Sequence, residues 1–401
     1  MTDLFLHKAP EIPQGYNFDY INPDALIHVL TVADGQLATA SGMRYRVLAL
    51  DPHSQHMSLP VLRKLRDLVQ AGAIVWGAKP TDTPSLADDE NEFRHIVDQL
   101  WGSGEGETSG KGRVYGKQSL GETLATLHVG PDFGYTRPEP DTSLLFVHRK
   151  LSDSDLYFVD NRSDRFENLS ATFRMEGKAA ELWHADSGKI EPASYYTAEG
   201  RTTVPLYLAP WETVFVIFRS PAEAPSRTLP VVIQTSLATI DAPWELSFPP
   251  GQGAPPTARF DKLTPWNDNA DEGIKYFSGT ATYTTAVDAS GSWFRPGAQL
   301  WLDLGAVKNL AEVLVNGKSL GIVWKQPYRI DVTPALKPGT NSIQIKVTNG
   351  WANRIIGDRQ PNAKQAYTFT SPKFYKATSP LWPSGLLGPV AIVETSVSAA
   401  R

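Results

Sequence analysis

From about residue 142 onward, apolar residues recur with a period of two in short runs, and no long helical pattern interrupts them. A period of two is typical of β-strands, and Asp, Asn, Ser and Gly residues separate the runs as turns. Successive strands without helices between them favour an antiparallel sandwich. We therefore predict a small β-sandwich over residues 142–222, with the proline-rich segment 220–226 at its end. Its strand-like runs are 144–149, 156–160, 171–174, 180–183 and 211–218.

The last block, residues 229–398, shows the same alternation in a larger set of runs. The strongest are 279–285, 299–304, 311–315 and 342–347. Asn316-Gly317 stands directly after one of these runs and is a signal for a type I′ hairpin. The length and spacing of the runs favour a jelly-roll sandwich. We predict that this block is a second, larger β-sandwich.

Residues 1–104 differ from the rest because a helical pattern lies between two β-rich runs. The run at 45–50 is followed by apolar residues at helical spacing from Leu59 to Val69, and then by a second run at 73–77. Gly72 is the expected C-cap of the helix between them. Strand, helix and strand at this spacing predict a βαβ unit with a parallel sheet. We therefore predict an α/β domain with a further helix over 89–101. In type this domain resembles the glutamine-amidotransferase-like fold.

A glycine-rich connector and a short helix are predicted over residues 105–141. The glycines between 102 and 112 do not fit a phosphate-binding loop, because Lys111 is followed by Gly112 where that motif has Ser or Thr. Ser119 and Glu122 have the spacing of a capping box. A helix is therefore expected to begin directly after Ser119.

Composition excludes several classes of function. The formal net charge is −5, and lysines and arginines are scattered without a basic run, so we expect no nucleic-acid binding. No apolar stretch approaches the roughly 20 residues that span a bilayer. The chain has no cysteine, which excludes disulfides, thiolate metal sites and a cysteine nucleophile. The first eight residues lack the basic and apolar regions of a signal peptide, and the compartment stays open.

The segment from Tyr276 to Asn349 resembles the sugar-binding β-sandwich of glycoside hydrolase family 2 and its relatives. The matching strings are 276–283, 302–305 and 313–318, and the match continues through Trp324, Tyr328 and the strand that ends at Asn349. The resemblance implies that the block 229–398 is a galactose-binding-like jelly roll. It also implies a contribution to carbohydrate recognition.

A second resemblance extends over nearly the whole chain. The strings 15–22, 112–114, 146–149 and 384–390, together with the βαβ unit through Trp76, resemble the C-terminal part of glycoside hydrolase family 106. Members of that family are α-L-rhamnosidases with an N-terminal catalytic (β/α)8 barrel, an α/β domain and β-sandwich domains. The resemblance begins after the barrel. Because the family's catalytic glutamates and calcium ion belong to the barrel, no catalytic residue can be carried over to this chain.

The resemblance therefore implies an accessory region of an α-L-rhamnosidase-like glycoside hydrolase. Its expected partners are a rhamnose-containing glycan and a catalytic barrel, on the same or another chain. A periplasmic or extracellular place is expected of the parent enzyme. The alternative is a stand-alone carbohydrate-binding protein.

Aromatic residues in two loops of the last block are the candidate carbohydrate contacts. Sugars stack their apolar C–H faces on Trp and Tyr, while amides and charged groups bind their hydroxyls. Packing in the core or at a domain interface is the alternative for the same residues. The candidates are Trp324, Lys325 and Tyr328 in one loop, and Asn349, Trp351, Asn353 and Arg354 in the other.

Two weak signals for metal sites are also present in the sequence. His53 and His56 follow the predicted strand 45–50, but no third ligand is evident, and a solvated loop is the simpler interpretation. Residues 268–273 resemble the first half of a calcium loop, yet its twelfth position lacks the required glutamate. A structural calcium ion is left open, and a plain polar loop is the preferred interpretation.

Overall fold

The computed structural model describes residues 12–51, 55–102, 107–241, 243–371 and 374–397. Within these residues the hydrophobic side chains form three separate cores, one in an N-terminal α/β region and one in each of two β-sandwiches. No helix in the described part of the chain is long and apolar enough to cross a membrane.

The N-terminal region contains the predicted βαβ unit. Strands β4 and β5 pair in parallel, β5 pairs in parallel with β7, and helices α2 and α3 pack together beside this sheet. The elements are α1 (Pro23–His28), β1 (Thr31–Ala33), β2 (Gln36–Ala38), β3 (Arg44–Tyr45), β4 (Leu48–Ala49), α2 (Leu59–Ala71), β5 (Ile74–Trp76), α3 (Glu90–Trp101), β6 (Glu107–Ser109), β7 (Gly112–Tyr115) and α4 (Leu120–Thr126).

Local signals in the sequence account for the ends of these helices. Gly72 ends α2 with a φ of +121°, a conformation that favours glycine. The Asp89 carboxylate accepts hydrogen bonds from two backbone amides at the start of α3. Ser119 and Glu122 form the predicted capping box of α4. The predicted strand 45–50 is divided, because Tyr45 pairs with Leu37 in a separate antiparallel sheet of β1, β2 and β3.

The first sandwich has two five-stranded antiparallel sheets. Their orders are β13-β12-β16-β10-β9 and β17-β14-β15-β11-β8, and Tyr157, Phe173 and Phe218 are buried in the core. Strands β8 and β17 lie outside the predicted range 142–222, and both complete the second sheet. The strands are β8 (Phe133–Tyr135), β9 (Leu144–Lys150), β10 (Asp155–Asn161), β11 (Glu167–Phe173), β12 (Lys178–Trp183), β13 (Ile190–Pro192), β14 (Tyr195–Ala198), β15 (Arg201–Leu208), β16 (Thr213–Pro221) and β17 (Ser226–Arg227).

The second sandwich packs a four-stranded sheet, β18-β29-β22-β26, with a six-stranded sheet, β20-β19-β21-β27-β24-β25. Its strands are β18 (Val232–Thr239), β19 (Trp244–Ser247), β20 (Thr257–Phe260), β21 (Thr280–Ala289), β22 (Gln299–Asp303), β23 (Ala306–Lys308), β24 (Leu310–Val315), β25 (Lys318–Val323), β26 (Arg329–Asp331), β27 (Gly339–Thr348), β28 (Gly385–Gly388) and β29 (Ala391–Val397). Its helices are α5 (Glu272–Lys275) and α6 (Ala352–Gly357), with 3₁₀ turns at Trp266–Asp268 and Gly291–Trp293.

The hairpin between β24 and β25 has the predicted type I′ turn. Asn316 and Gly317 have φ values of +52° and +80°, as both central residues of that turn require. The Asn316 side chain also bonds Asn341, which fixes the turn against the start of β27. The short turn sets the register of β24 and β25, and so fixes where the opposite end of β25 lies.

Candidate functional site

Strand register brings the two predicted sugar-binding loops to one end of the six-stranded sheet. Leu310 at the start of β24 pairs with Thr348 at the end of β27, and Ala311 pairs with Val323 at the end of β25. The segments that follow β25 and β27 therefore leave the sheet on the same side. Because β24 is the single strand between them, they begin about 10 Å apart.

Three tryptophans are exposed at this end, which we call the aromatic end (Trp324, Trp351 and Trp382). Their exposed fractions are 65%, 64% and 59%. Trp382 belongs to it because its backbone N–H and C=O both bond the Asn353 side chain, two residues beyond Trp351. Large aromatic side chains exposed together are typical of binding surfaces.

Asn349, Asn353 and Arg354 have bonding roles inside the loop. The Asn349 side chain accepts from the Gly279 amide at 2.9 Å and donates to the Phe277 carbonyl at 2.9 Å. Asn353 is buried and bonds the backbone of Trp382. These side chains hold the backbone that carries the tryptophans. That Asn349, Asn353 and Arg354 contact sugar remains a prediction.

The buried Arg354 guanidinium is fixed on several sides. Its Nε donates to Asp358 Oδ1 at 2.8 Å, and its Cζ lies 4.8 Å from the centre of the Tyr367 ring. Asp358 Oδ2 accepts from the amides of Tyr367 and Thr368 and from the Thr368 hydroxyl. This ion pair ties helix α6 to the segment that follows it.

Lys325 lies where the second sandwich meets the first, and Tyr328 lies three residues beyond it. Lys325 Nζ is 2.7 Å from Asp186 Oδ2, in the turn between β12 and β13 of the first sandwich. Tyr328 packs on the core of the second sandwich, and burial raises the pKa of its hydroxyl. Trp324 therefore lies beside the junction of the two sandwiches, with its loop tied across that junction.

Further charged side chains surround this ion pair. We call the group the junction cluster (His184, Asp186, Glu191, Glu212 and Lys325). His184 Nε2 is 3.0 Å from Glu191 Oε1, and its Nδ1 is 3.6 Å from Glu212 Oε1. Contact with Glu212 and Glu191 raises the pKa of His184. Burial would raise the pKa of Glu212, but hydrogen bonds from His184 and the Ala209 amide and the charge of Lys325 outweigh it and hold that pKa low.

A second polar network is buried in the first sandwich, and we call it the His148 network (Asp132, His148, Asp155, Tyr157 and Arg174). The two ring nitrogens of His148 lie 2.7 Å from Asp132 Oδ2 and 3.0 Å from Asp155 Oδ1. Each ring nitrogen of His148 therefore faces the oxygen of a different aspartate. Burial would raise the pKa of Asp132, but His148, Arg174 and the Tyr157 hydroxyl outweigh it and hold that pKa below its usual range.

The sequence predicted neither group as a cluster, although Lys325 was a candidate carbohydrate contact. His148 lies in the string 146–149 that carries part of the family resemblance, which was its one signal. The members of the junction cluster come from three separate stretches of chain. Asp186 lies in an Asp-Ser-Gly string, and such strings usually form plain turns. No local pattern marks it as a partner of Lys325.

The weaker metal candidates do not form a site in the described part of the chain. His56 bonds Asp82 at 2.6 Å on the surface, and His53 lies outside the described residues. Asp271 accepts from the amides of Gly273 and Ile274 and so caps helix α5. Among the residues that the structure describes, no three His, Asp or Glu side chains are arranged to hold a metal ion.

Comparison with known proteins agrees with both resemblances. Residues 1–197 match the family described as alpha-L-rhamnosidase, glycoside hydrolase 106. This match covers just under half of the chain. Residues 264–377 match the galactose-binding domain-like family of glycosyl hydrolase 2, so the aromatic end lies largely within a galactose-binding-like domain.

Similar whole proteins are longer than this chain. A solved rhamnosidase from Novosphingobium sp. PP1Y is 40% identical, with a TM-score of 0.81, over 96% of this chain and 37% of that one. A putative beta-glucuronidase of Formosa agariphila is 23% identical over 96% of this chain and 53% of its own length. A Ruminococcus gnavus beta-glucuronidase is 18% identical, with a TM-score of 0.30, over 42% of this chain and 29% of that one. The chain thus spans about half of the curated relative and 37% of the rhamnosidase.

Proposed function

We propose that the chain is the C-terminal accessory region of an α-L-rhamnosidase-like glycoside hydrolase. In this role it supports a catalytic barrel and binds a rhamnose-containing glycan, without hydrolysing it alone. The observation that carries the proposal is the display of three exposed tryptophans at one end of the galactose-binding-like sandwich. The similarity to a rhamnosidase 37% of whose chain is covered supports the accessory role.

The chemistry of the aromatic end suits a sugar. An indole ring offers a flat apolar face for the C–H side of a pyranose, and its N–H can donate to a hydroxyl. Asn349, Asn353 and the Arg354–Asp358 pair hold the backbone beside Trp351 and Trp382, so little backbone freedom is lost on binding. Exposed rings on a backbone held in this way therefore favour binding over chance exposure.

The bonding of Asp358, the buried carboxylate near this end, argues against its use in hydrolysis. Glycoside hydrolysis needs two carboxyl groups about 5–10 Å apart on either side of the bond, free to exchange protons or attack. Asp358 is buried and accepts four hydrogen bonds from its neighbours. These bonds hold the loop, so the Asp358 carboxylate is not free to transfer a proton or to attack a sugar.

The glutamine-amidotransferase-like assignment of the N-terminal domain is part of the same proposal. The parallel pairing of β4, β5 and β7 with α2 beside them supports it. A barrel partner is also part of the proposal, and the similarity over 37% of the rhamnosidase supports it.

We predict that the purified chain does not turn over an aryl α-L-rhamnoside. The measurement is release of 4-nitrophenol from 4-nitrophenyl α-L-rhamnoside, with a complete rhamnosidase as the positive control. The expected rate equals that of the buffer blank, because Asp358, the buried carboxylate at the aromatic end, is occupied by four hydrogen bonds. Release that rises with chain concentration to enzyme-like rates would refute the accessory role.

We also predict that Trp324→Ala and Trp351→Ala each weaken binding to a rhamnose-containing polysaccharide at least tenfold, or about 1.4 kcal/mol. Each change removes one stacking face and leaves the core unaltered. Affinity electrophoresis measures the effect, and Tyr196→Ala is the matched control because Tyr196 is an exposed aromatic on β14 of the other sandwich. Equal retardation of all four proteins by the polysaccharide would contradict the assignment of the aromatic end.

The second candidate is a stand-alone carbohydrate-binding protein. The exposed tryptophans favour it equally, because they require no barrel to be accessible. The two candidates differ in what a barrel would add. If co-expression with the barrel of a family 106 relative yields a stable complex that hydrolyses rhamnosides, the accessory role is supported. If the two proteins elute separately at micromolar concentration while the chain still binds polysaccharide, the stand-alone role replaces it.

A further inference from the structure

Trp211 occupies a backbone position that normally requires glycine. It lies in the turn between β15 and β16, where the Glu212 amide donates to the Ala209 carbonyl at 3.1 Å. Pro210 fills the first central position and Trp211 the second, with a φ of +56°. These features define a type II turn, in which the second central residue has a positive φ and is usually glycine or asparagine. A tryptophan at this position strains the backbone.

No contact described in the fold requires a tryptophan at position 211. Trp211 is 56% exposed, and within the described residues its ring forms no hydrogen bond and no aromatic pair. The turn itself is closed by backbone bonds, including that from the Trp211 amide to the Ser163 carbonyl. Glycine would close the same turn with less strain. Strain and exposure together at one residue are characteristic of functional positions.

Trp211 is connected to Trp324 through the junction cluster. Glu212, its neighbour in the chain, faces His184. His184 shares a turn with Asp186, which binds Lys325 at 2.7 Å across the two sandwiches. Lys325 is the direct neighbour of Trp324. An exposed tryptophan of each sandwich is therefore the chain neighbour of a member of one group of charged side chains.

We propose that Trp211, Trp324 and the junction cluster form a carbohydrate-binding site between the two sandwiches. The site continues the aromatic end onto the first sandwich, and so takes an oligosaccharide that extends past Trp324. The two rings stack on sugar faces, while carboxylates and the lysine bind hydroxyls as acceptors and donor. This inference rests on the proposed carbohydrate binding and adds a second sandwich to it.

The charges of the site favour a neutral glycan. Three carboxylates (Asp186, Glu191 and Glu212) face Lys325, Lys189 and His184, so positive and negative groups nearly balance. The lysines are already paired with carboxylates. The carboxylate of an acidic sugar would therefore be repelled by the three carboxylates, with both lysines already paired. The hydroxyls of a neutral sugar can donate to those carboxylates and accept from the lysines.

The test is calorimetric titration of the whole chain with L-rhamnose and with an α-linked rhamnose trisaccharide. Trp211→Gly is the decisive variant, because glycine relieves the backbone strain and the melting temperature should be unchanged or higher. We expect the variant to bind the trisaccharide at least fivefold more weakly than the unaltered chain. Trp211→Asn, which also accepts a positive φ, should behave alike, and Tyr196→Ala is the control.

The outcomes separate this inference from the function on which it rests. If the unaltered chain binds the trisaccharide, and Trp351→Ala weakens it while Trp211→Gly does not, the junction site is wrong and the aromatic end stands. If the unaltered chain binds neither sugar, both proposals fail. A melting temperature that falls in both Trp211 variants would show that the ring stabilises the fold, and would overturn the inference as well.

Discussion

Replacing Asp132 by alanine is expected to destabilise the chain by about 3–5 kcal/mol, the usual cost of removing one partner from a buried ion pair. The Asp132 side chain is 8% exposed and His148 is 13% exposed. Asp132 also accepts from Tyr157, Arg174 and Asn17, at 3.1 Å in each case. Its loss would leave the buried His148 ring with one carboxylate partner instead of two, and would remove an acceptor from Tyr157. Urea unfolding followed by circular dichroism measures the change.

Asp141→Ala is the matched control for this prediction. Asp141 also binds an arginine through both carboxylate oxygens, but its side chain is 75% exposed. Water and salt screen such a pair, so its removal should shift the urea midpoint little. A shift as large for Asp141→Ala as for Asp132→Ala would mean that burial is not what makes the His148 network important.

The elements of this fold were predictable where their signals are local. The period of two along β9, β10 and β16 and the helical spacing along α2 are properties of neighbouring residues. Asn316-Gly317 encodes its own turn. Such features depend little on the rest of the chain, so a single sequence is enough to predict them.

Pairing between distant segments was less predictable. Strand β8 pairs with β11 more than 30 residues later and begins before the range predicted for the sandwich. It contains only three residues, too few to show a period. The His148 network has the same origin, because Asp132, just before β8, meets His148 only once that strand has joined the sheet.

The candidate site was predictable only where it follows local strand signals. Trp324 and Trp351 each follow a recognisable strand, and the two strands end on the same side of one sheet. The residue type alone does not determine whether a side chain is exposed, however. Asn353 has the chemistry of a sugar ligand and is buried in the loop, whereas Trp211 has the chemistry of a core residue and is exposed. Only tertiary packing separates these cases.

Asp358→Ala is expected to have the second large effect, again about 3–5 kcal/mol, because it leaves the Arg354 guanidinium buried without its carboxylate. The two side chains are 6% and 8% exposed. The change also frees the amides of Tyr367 and Thr368, which Asp358 holds at 2.9 and 2.7 Å. Thermal unfolding measures the loss, with Asp288→Ala, an exposed aspartate on β21, as the control.

The same variant links stability to binding at the aromatic end. If the Arg354–Asp358 pair orders the segment that leads to Trp382, Asp358→Ala should weaken polysaccharide binding even at temperatures where the chain is fully folded. Ordering the loop would then cost free energy at the moment of binding. Limited proteolysis should cut between Asp358 and Trp382 sooner in the variant than in Asp288→Ala. Both measurements are made about 20 degrees below the melting midpoint of the variant. If affinity and cleavage are unchanged there, the ion pair contributes only to global stability and does not order the loop that carries the tryptophans.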